Sequence, residues 1–309
     1  MRRLLPAYAL ALLLTGCGWL PHSGQPTSVP PSSDLATRAA LYAELAPAVL
    51  DPHGFADVAH CDSTTFSGLL GASGVAVDLL AAEVSPGEWL RRPASYPECW
   101  AAGESRSTIS RDALLSVLWW AWSNDDLATL ERLWDYGATH SWKMGSGRYR
   151  GADTLANPNL VALLAHSMYA LGGRPPAWAL AILPVWTADV KGYERHLQVV
   201  QIALWGEVVG HIPTGAAELL AQHAATQPWN PVMRAASDRW LGTSLSTQKL
   251  DHRLWPEDRL PTSADRCSAW VAMNDQDESG WFACPAESAT HTGGELLFAQ
   301  RILRGKSHD

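Results

Sequence analysis

Two kinds of helical pattern alternate along this chain, and their alternation limits the folds open to it. Three segments are apolar around most of the helix circumference: Ala113–Trp122, Leu160–Leu171 and Leu197–Val209. Two others, Asp125–Tyr136 and Ala216–Ala225, are apolar on one side only. A helix that is apolar all round is buried on every side, whereas a one-sided helix lies on the outside. The pattern therefore predicts an inner and an outer layer of helices.

A polar cluster precedes each of six buried helices and recurs at intervals of 34 to 65 residues. No segment shows the convincing alternation and turn signals that are typical of strands and hairpins. A repeat of this length without strands predicts an all-α array of stacked helical hairpins. One residue from each cluster marks its place: Asp62, Asp112, Asn159, His196, Asn230 and Glu295.

Six buried helices that alternate with outer ones resemble the α/α toroid, the six-hairpin architecture of many glycoside hydrolases and polysaccharide lyases. The resemblance implies that the inner helices begin at one end of a barrel, so that the six polar clusters meet at one mouth. An open α-solenoid or an irregular helical bundle is the alternative. We expect one helical domain over residues 35–309, with a loop-rich insert near residues 255–285.

The N-terminus has the order of an export signal. Met1–Arg3 is basic, and a mostly apolar run from Leu4 to Leu14 follows. The ending Leu14-Thr15-Gly16-Cys17 resembles the lipobox of bacterial lipoproteins. The resemblance implies that residues 1–16 are a signal peptide, that cleavage precedes Cys17, and that lipid is attached to this cysteine.

Residues 17–34 are rich in Gly, Pro and Ser, which predicts a flexible tether between a lipid bilayer and the helical body. Gly18 follows the cysteine, where Asp resembles an inner-membrane retention signal of Gram-negative lipoproteins. The expected location is therefore the cell envelope, at the outer membrane if the cell is Gram-negative.

Four cysteines remain after Cys17, and an even number in an exported chain suggests disulfide bonds. Three pairings are possible, and the pairing of sequence neighbours is favoured. The chain has no CxxC motif, so we expect neither a metal site nor a cofactor. The favoured pairs are Cys61–Cys99 and Cys267–Cys284.

The charge balance argues against nucleic acid as a partner. The chain has 23 Lys and Arg residues against 31 Asp and Glu, a formal net charge of −8. Nucleic-acid binders need a basic surface. The sequence also contains no GxSxG or HExxH motif, so serine hydrolase and zinc protease chemistry have no support.

Three carboxyl groups at the predicted mouth are candidates for catalysis, because glycoside hydrolysis uses a pair of carboxyl groups. Asp112 directly precedes an apolar helix, and burial there would suit it to donate a proton. Asp62 or Glu295 would then act as the base. In a lyase, His196 or Tyr193 would instead be the base. The alternative for Asp62 and Asp112 is structural, since carboxylates are favourable at helix starts without any catalysis.

The remaining candidates are ligand contacts at the same mouth. The chain has 16 Trp against 4 Phe, and flat indole rings stack on sugars, although Trp also fills gaps between helices. For the polar candidates the alternatives are structural. His196 would be a hydrogen-bonded histidine in the core, and Arg111 would form a simple ion pair. The predicted substrate contacts are Arg111, His196, Asn159, Asn230, His291, Trp142 and Trp229.

These patterns predict a lipid-anchored envelope protein that binds a glycan and, in the catalytic case, cleaves it. The alternative is a non-catalytic envelope lipoprotein that binds a protein partner through a helical-repeat surface. The enzyme requires Asp112 and a second carboxyl group in one open cleft beside exposed Trp rings. The partner-binding protein requires a contiguous exposed apolar patch.

Overall fold

The computed structural model describes residues 33–56, 62–96, 109–145, 154–190, 192–228, 230–248 and 294–306. These residues are mostly helical, which confirms the prediction of an all-α chain. The helices are α1 (Ser33–Leu45), α2 (Ser63–Ala72), α3 (Arg111–Ser123), α4 (Leu127–Thr139), α5 (Pro158–Ala170), α6 (Ala177–Leu180), α7 (Gly192–Val209), α8 (Thr214–Thr226), α9 (Pro231–Leu241) and α10 (Gly294–Arg304).

Several predictions fall outside the described residues. These are the signal peptide, lipidated Cys17, nearly all of the tether, the insert near residues 255–285, and the four cysteines Cys61, Cys99, Cys267 and Cys284. The first described helix begins at Ser33, two residues before the predicted start of the body.

Where the structure describes them, the predicted polar clusters lie at the starts of helices. They supply three N-caps, which are Ser110, Asn157 and Asn230. The Ser110 hydroxyl accepts the backbone N–H of Ala113 at the start of α3. The Asn157 side chain caps α5 in the same way by accepting the N–H of Leu160, and Asn230 caps α9. Such caps satisfy N–H groups that have no partner within the helix.

Helices α2 and α3 run in the same direction at unusually close range. A Cβ atom on Gly68 would lie 2.8 Å from the Ser116 Oγ, and one on Gly71 would lie 2.5 Å from the Trp120 Cδ1. Earlier residues of α2 thus face earlier residues of α3, and later residues face later ones. Glycine is needed at both positions because the helices leave no room for a side chain there.

Helices α7 and α9 are also parallel. His196 and Asn230 are hydrogen-bonded near the two helix starts, and Gly206 lies under the ring of Trp240 near the two ends. The end of α10 joins them there, since a Cβ on Gly305 would meet the Arg239 guanidinium.

The outer helix α4 reverses direction. It follows α3 through a short turn, and Gly173, beyond the end of α5, contacts Leu127 at the beginning of α4. Helix α5 therefore runs parallel to α3. Arg301 near the end of α10 reaches the Ser123 hydroxyl at the end of α3, 3.4 Å away, which gives α10 the same direction.

The six parallel helices contact one another in a continuous order. Helix α2 packs on α3, α3 on α5, α5 on α7, α7 on α9, α9 on α10, and α10 on α2. Helices α4, α8 and α1 pack outside this set, as the one-sided patterns predict for α4 and α8. Buried Trp119 joins distant members, because its indole N–H donates to the Val200 carbonyl and its ring meets Phe298 edge-on at 4.9 Å.

The outer layer is thin between α5 and α7. Only the four-residue α6 forms there, and non-helical chain continues to Val190. The side chain of Asn159, at the start of α5, binds this segment. Its Nδ2 donates to the Val185 carbonyl at 2.8 Å, and its Oδ1 accepts the Val185 N–H at 2.9 Å.

Two small hairpins correct the expectation that the chain has no strands. Strand β1 (Glu83–Ser85) pairs with β2 (Glu88–Trp89), and β3 (Lys143–Gly145) pairs with β4 (Thr154–Leu155), both antiparallel. Strands of two or three residues are too short to show alternation. The turn signal was nevertheless present, since Gly87 follows a proline and adopts a φ of 79°.

Candidate functional site

The three candidate carboxyl groups lie at the starts of parallel helices. Asp62 forms an ion pair with Arg91 before α2. Asp112 is half-buried in the first turn of α3, and Glu295 is buried in the first turn of α10. Arg111 is exposed as the first residue of α3. Their catalytic and substrate-binding roles stay predictions.

His196 and Asn230 form a buried polar network between α7, α8 and α9. The Asn230 Nδ2 lies 3.0 Å from the His196 Nδ1 and donates to the Gln227 Oε1 at 3.2 Å. Because the amide nitrogen can only donate, the His196 Nδ1 is an acceptor. Complete burial lowers the pKa of His196 to about 3, which leaves the ring neutral and a weak base.

The other predicted ligand contacts have local partners or lie elsewhere. Both amide atoms of Asn159 are engaged with Val185. Trp142 is half-buried, with its ring 4.9 Å from that of Trp134 and 6.4 Å from that of Trp178. The exposed member of this cluster is Trp178, which the sequence analysis did not select. Trp229 and His291 lie outside the described residues.

An open groove crosses the C-terminal ends of α2 and α3. We call it the C-end groove, and it consists of a large cavity of about 890 Å³ and a small cavity of about 530 Å³ that share Gly71, Gly74 and Asn124. The large cavity is lined by Pro52, His53, Gly54, Gly71, Gly74, Val75, Ala76, Val77, Asp78, Trp120, Asn124 and Asp126. The small cavity adds residues of α1 and α10 to this wall.

The C-end groove and the predicted mouth lie at opposite ends of the same helices. Asp112 lies in the first turn of α3 and Asn124 follows the end of that helix, so the two are about 18 Å apart along the helix axis at 1.5 Å per residue. Neither cavity is lined by a candidate catalytic residue. The groove is therefore a different surface from the one that the sequence predicts.

The large cavity offers one aromatic ring and several polar groups. Trp120 is half-buried against Gly71. The His53 Nδ1 lies 3.7 Å from the Asp78 carboxylate, and both side chains are about half exposed. Both carboxylate oxygens of Asp126 already accept hydrogen bonds, one from the backbone N–H and one from the hydroxyl of Thr129.

The small cavity carries an excess of positive charge. Arg301 donates to the Glu207 carboxylate at 3.3 Å, and burial lowers the pKa of Arg301 although this carboxylate opposes the shift. Lys306 pairs with Asp125. Arg304 is exposed and has no ion-pair partner among the described residues. A cation without a partner at the edge of a cavity suits an anionic ligand.

Gln300 is the least satisfied polar group of the small cavity. Its side chain lines the cavity, the residue is only 4% exposed, and neither its Oε1 nor its Nε2 has a hydrogen-bond partner in the described part of the chain. A buried amide without partners costs about 1–3 kcal/mol, so this group calls for an explanation.

Within the described ranges, no group of three or more His, Cys, Asp or Glu residues could hold a metal ion. In the same part of the chain, no helix has both the length and the hydropathy needed to cross a bilayer.

Comparison of the chain with protein-family models, with curated protein sequences and with solved structures found no match.

Proposed function

We propose that this chain is an exported lipoprotein whose helical body binds a glycan in the C-end groove. The observation that carries the proposal is the groove itself, an open polar cleft with one indole ring in its wall. Sugar rings present apolar faces that stack on indole and hydroxyl groups that bond to side chains such as His53, Asp78 and Asn124.

The proposed body is an α/α toroid. Two observations support this arrangement: the six helices share one direction, and their order of contact returns from α10 to α2. In an open solenoid the first and last repeats would not meet. The proposed anchor is lipid on Cys17, which would hold the body at the cell envelope, and at the outer membrane in a Gram-negative cell.

Cleavage is a separate proposal, because its residues lie at the other end of α3. Asp112 would be the proton donor, with Asp62 or Glu295 as the second carboxyl group. The Asp62 carboxylate forms an ion pair with Arg91.

A protein partner is the second candidate function, and a specific surface favours it. Tyr169, Trp178, Leu183 and Val185 are exposed, and they belong to the end of α5 and the segment that replaces an outer helix. Exposed apolar side chains are typical of contact surfaces where they form a contiguous patch.

The test is glycan binding by the purified lipoprotein in detergent micelles, read by Trp fluorescence over a panel of envelope and plant polysaccharides. Gly71→Ala should weaken binding at least tenfold, because the new Cβ would displace Trp120. The matched control is Gly215→Ala, whose added Cβ would meet no atom within 4 Å. Circular dichroism must show that both variants keep their helices.

The alternatives give different results in the same assay. Binding that resists Gly71→Ala but is lost in Asp112→Asn, together with release of reducing ends by the wild type alone, would place the site at the helix starts. No binding to any glycan would overturn the proposal and favour the protein partner.

A further inference from the structure

We infer that this protein forms a two-fold symmetric dimer through the segment between α5 and α7. The partner is a second copy of the chain, so the inference goes beyond the proposed glycan function and does not depend on it. Its evidence is a preformed apolar stripe, the area that this stripe exposes and the opposite charges at the two ends of the segment. The apolar stripe consists of Trp178, Ala181, Leu183 and Val185.

The segment is held against the body in an extended conformation. The Val185 N–H and carbonyl both bond to one side chain, that of Asn159. A residue that makes both backbone bonds to one partner has the geometry of a paired β-strand residue. Exposed and half-buried residues accordingly alternate over residues 181–187. The stripe is therefore in place before a partner binds, which lowers the entropy cost of association.

The exposed side chains of the stripe are neighbours. Leu183 and Val185 are two residues apart in the extended part, so they point to the same side about 7 Å from each other. Ala181 joins this pair to Trp178, since it is exposed two residues before Leu183 and about one helical turn after Trp178. The four residues therefore form one continuous apolar surface.

The area of the stripe is close to what a specific dimer needs. Trp178, Leu183 and Val185 expose 55%, 68% and 78% of their surfaces, which is roughly 400 Å² per copy. Two copies would bury roughly 800 Å² on these residues, and the flanking exposed residues raise the total to about 1,000 Å², where specific interfaces begin. This area predicts a dimer of modest affinity, in the micromolar range.

The charges of the segment favour self-association. Residues 175–188 carry no charge, in a chain whose formal net charge is −8. Two copies of an acidic protein repel each other least at such a neutral surface. Arg174 and Asp189, which flank it, are exposed, and neither has an ion-pair partner in the described part of the chain.

A two-fold axis through the stripe would pair these two charges. The segment runs from the end of α5 back to its start, where Asn159 binds it, so Arg174 and Asp189 lie at opposite ends. In a two-fold interface the two segments run antiparallel, and Arg174 of each copy meets Asp189 of the other. Lys191 follows Asp189 in the sequence but lies outside the described residues, so this pairing rests on Arg174 and Asp189.

A second copy fits the stripe better than a lipid bilayer does. Surfaces that bind lipid commonly place Lys and Arg beside their apolar residues. One end of this segment is acidic instead, and anionic lipid repels a chain with a net charge of −8.

Sedimentation velocity of the intact lipoprotein in micelles tests the inference, over protein concentrations from nanomolar to hundreds of micromolar and with detergent in excess. We expect a dimer whose population rises with protein concentration. Leu183→Asp should weaken the dimer roughly tenfold or more, because it would bury a carboxylate in the interface. Val84→Asp, at an exposed apolar position of β1, is the matched control and should leave the dimer unchanged.

Two charge reversals test the antiparallel pairing. Arg174→Asp makes both ends of the segment acidic and Asp189→Arg makes both basic, so each variant alone should dimerise several-fold more weakly than the wild type. An equal mixture of the two variants should form a mixed dimer more tightly than either variant alone. Two copies that merely share a micelle would respond to none of these changes.

A protein that stays monomeric, or a dimer that Leu183→Asp leaves unchanged, would overturn the inference. A mixture that dimerises no more tightly than its components would overturn the two-fold pairing. A monomer whose binding to phosphatidylglycerol vesicles falls in Leu183→Asp would assign the stripe to the bilayer instead. Glycan binding that depends on Gly71 is measured separately, so the proposed function can stand or fall on its own.

Discussion

The buried imidazole of His196 should make the folded state sensitive to acid. Burial holds the pKa of His196 at about 3 in the folded protein, against about 6.5 in the unfolded chain. Between these values the unfolded chain binds more protons, so the free energy of unfolding falls as the pH drops from 6.5 toward 3. The slope from this residue is at most about 1.4 kcal/mol per pH unit.

Urea denaturation at pH 7, 6 and 5 checks this prediction. His196→Gln keeps a carbonyl that can accept the Asn230 N–H, and it should reduce the loss of stability between pH 7 and 5. His140→Gln, at an exposed site, should keep the wild-type slope. Identical slopes for wild type and His196→Gln would contradict the assignment.

Single residues also show how far the sequence predicts the site. The clusters at Asp112, Asn159 and Asn230 were found because they interrupt apolar runs at helix starts. Gln300 was missed because it lies inside a helix, where nothing in the local pattern shows whether an amide meets a partner. Its position within an otherwise buried face of α10 was the available signal.

At the scale of helices, the close approach of α2 and α3 should depend most on Gly68, which faces backbone as well as a side chain. A Cβ on Gly68 would lie 2.9 Å from the backbone oxygen of Ser116, which cannot rotate away. Gly68→Ala should therefore destabilise the protein by about 1–3 kcal/mol, the usual cost of overpacking. Thermal unfolding followed by circular dichroism measures this change.

Gly215→Ala in α8 is the matched control for this helix pair. Its added methyl group meets no neighbour, and alanine favours helix more than glycine by about 1 kcal/mol, so stability should rise or stay constant. A fall in melting temperature as large as that of Gly68→Ala would show that the contact with α3 is not the cause.

Helix identity was more predictable than helix pairing. The predicted segments Ala113–Trp122 and Leu160–Leu171 correspond to α3 and α5, with ends that differ by at most two residues. They were predictable because buried helices have a periodic pattern of apolar residues. The gap in the outer layer after α5 was not predicted. This segment contains prolines and exposed apolar residues, and no sequence pattern there shows that the Asn159 side chain bonds to the backbone of Val185.

At the scale of the whole molecule, α10 should be required for cooperative folding. It contacts α1, α2 and α9, and it buries Leu296, Phe298 and Ile302. A chain that ends at residue 293 exposes the opposing faces of α2 and α9. We expect a broad, non-cooperative urea transition and a loss of the near-ultraviolet signal of the Trp residues.

A chain that ends at residue 306 is the control and should unfold as the full chain does. If the chain that ends at residue 293 kept the full-length midpoint and slope, the contact between α10 and α2 would contribute nothing to stability. The resemblance to a toroid implies this contact, but the residue pattern alone does not distinguish it from an open array, because the two helices are more than 220 residues apart in sequence.

The shared direction of six helices has an electrical consequence. Each helix carries about half a positive charge at its start and half a negative charge at its end, and parallel helices add these dipoles. Asp112 and Glu295 lie in the first turns of α3 and α10, and Arg301 and Arg304 lie in the last turn of α10, so these four charges oppose the dipoles of those two helices. In the lipid-anchored arrangement that we propose, these charges would reduce the torque that a charged bilayer exerts on the body.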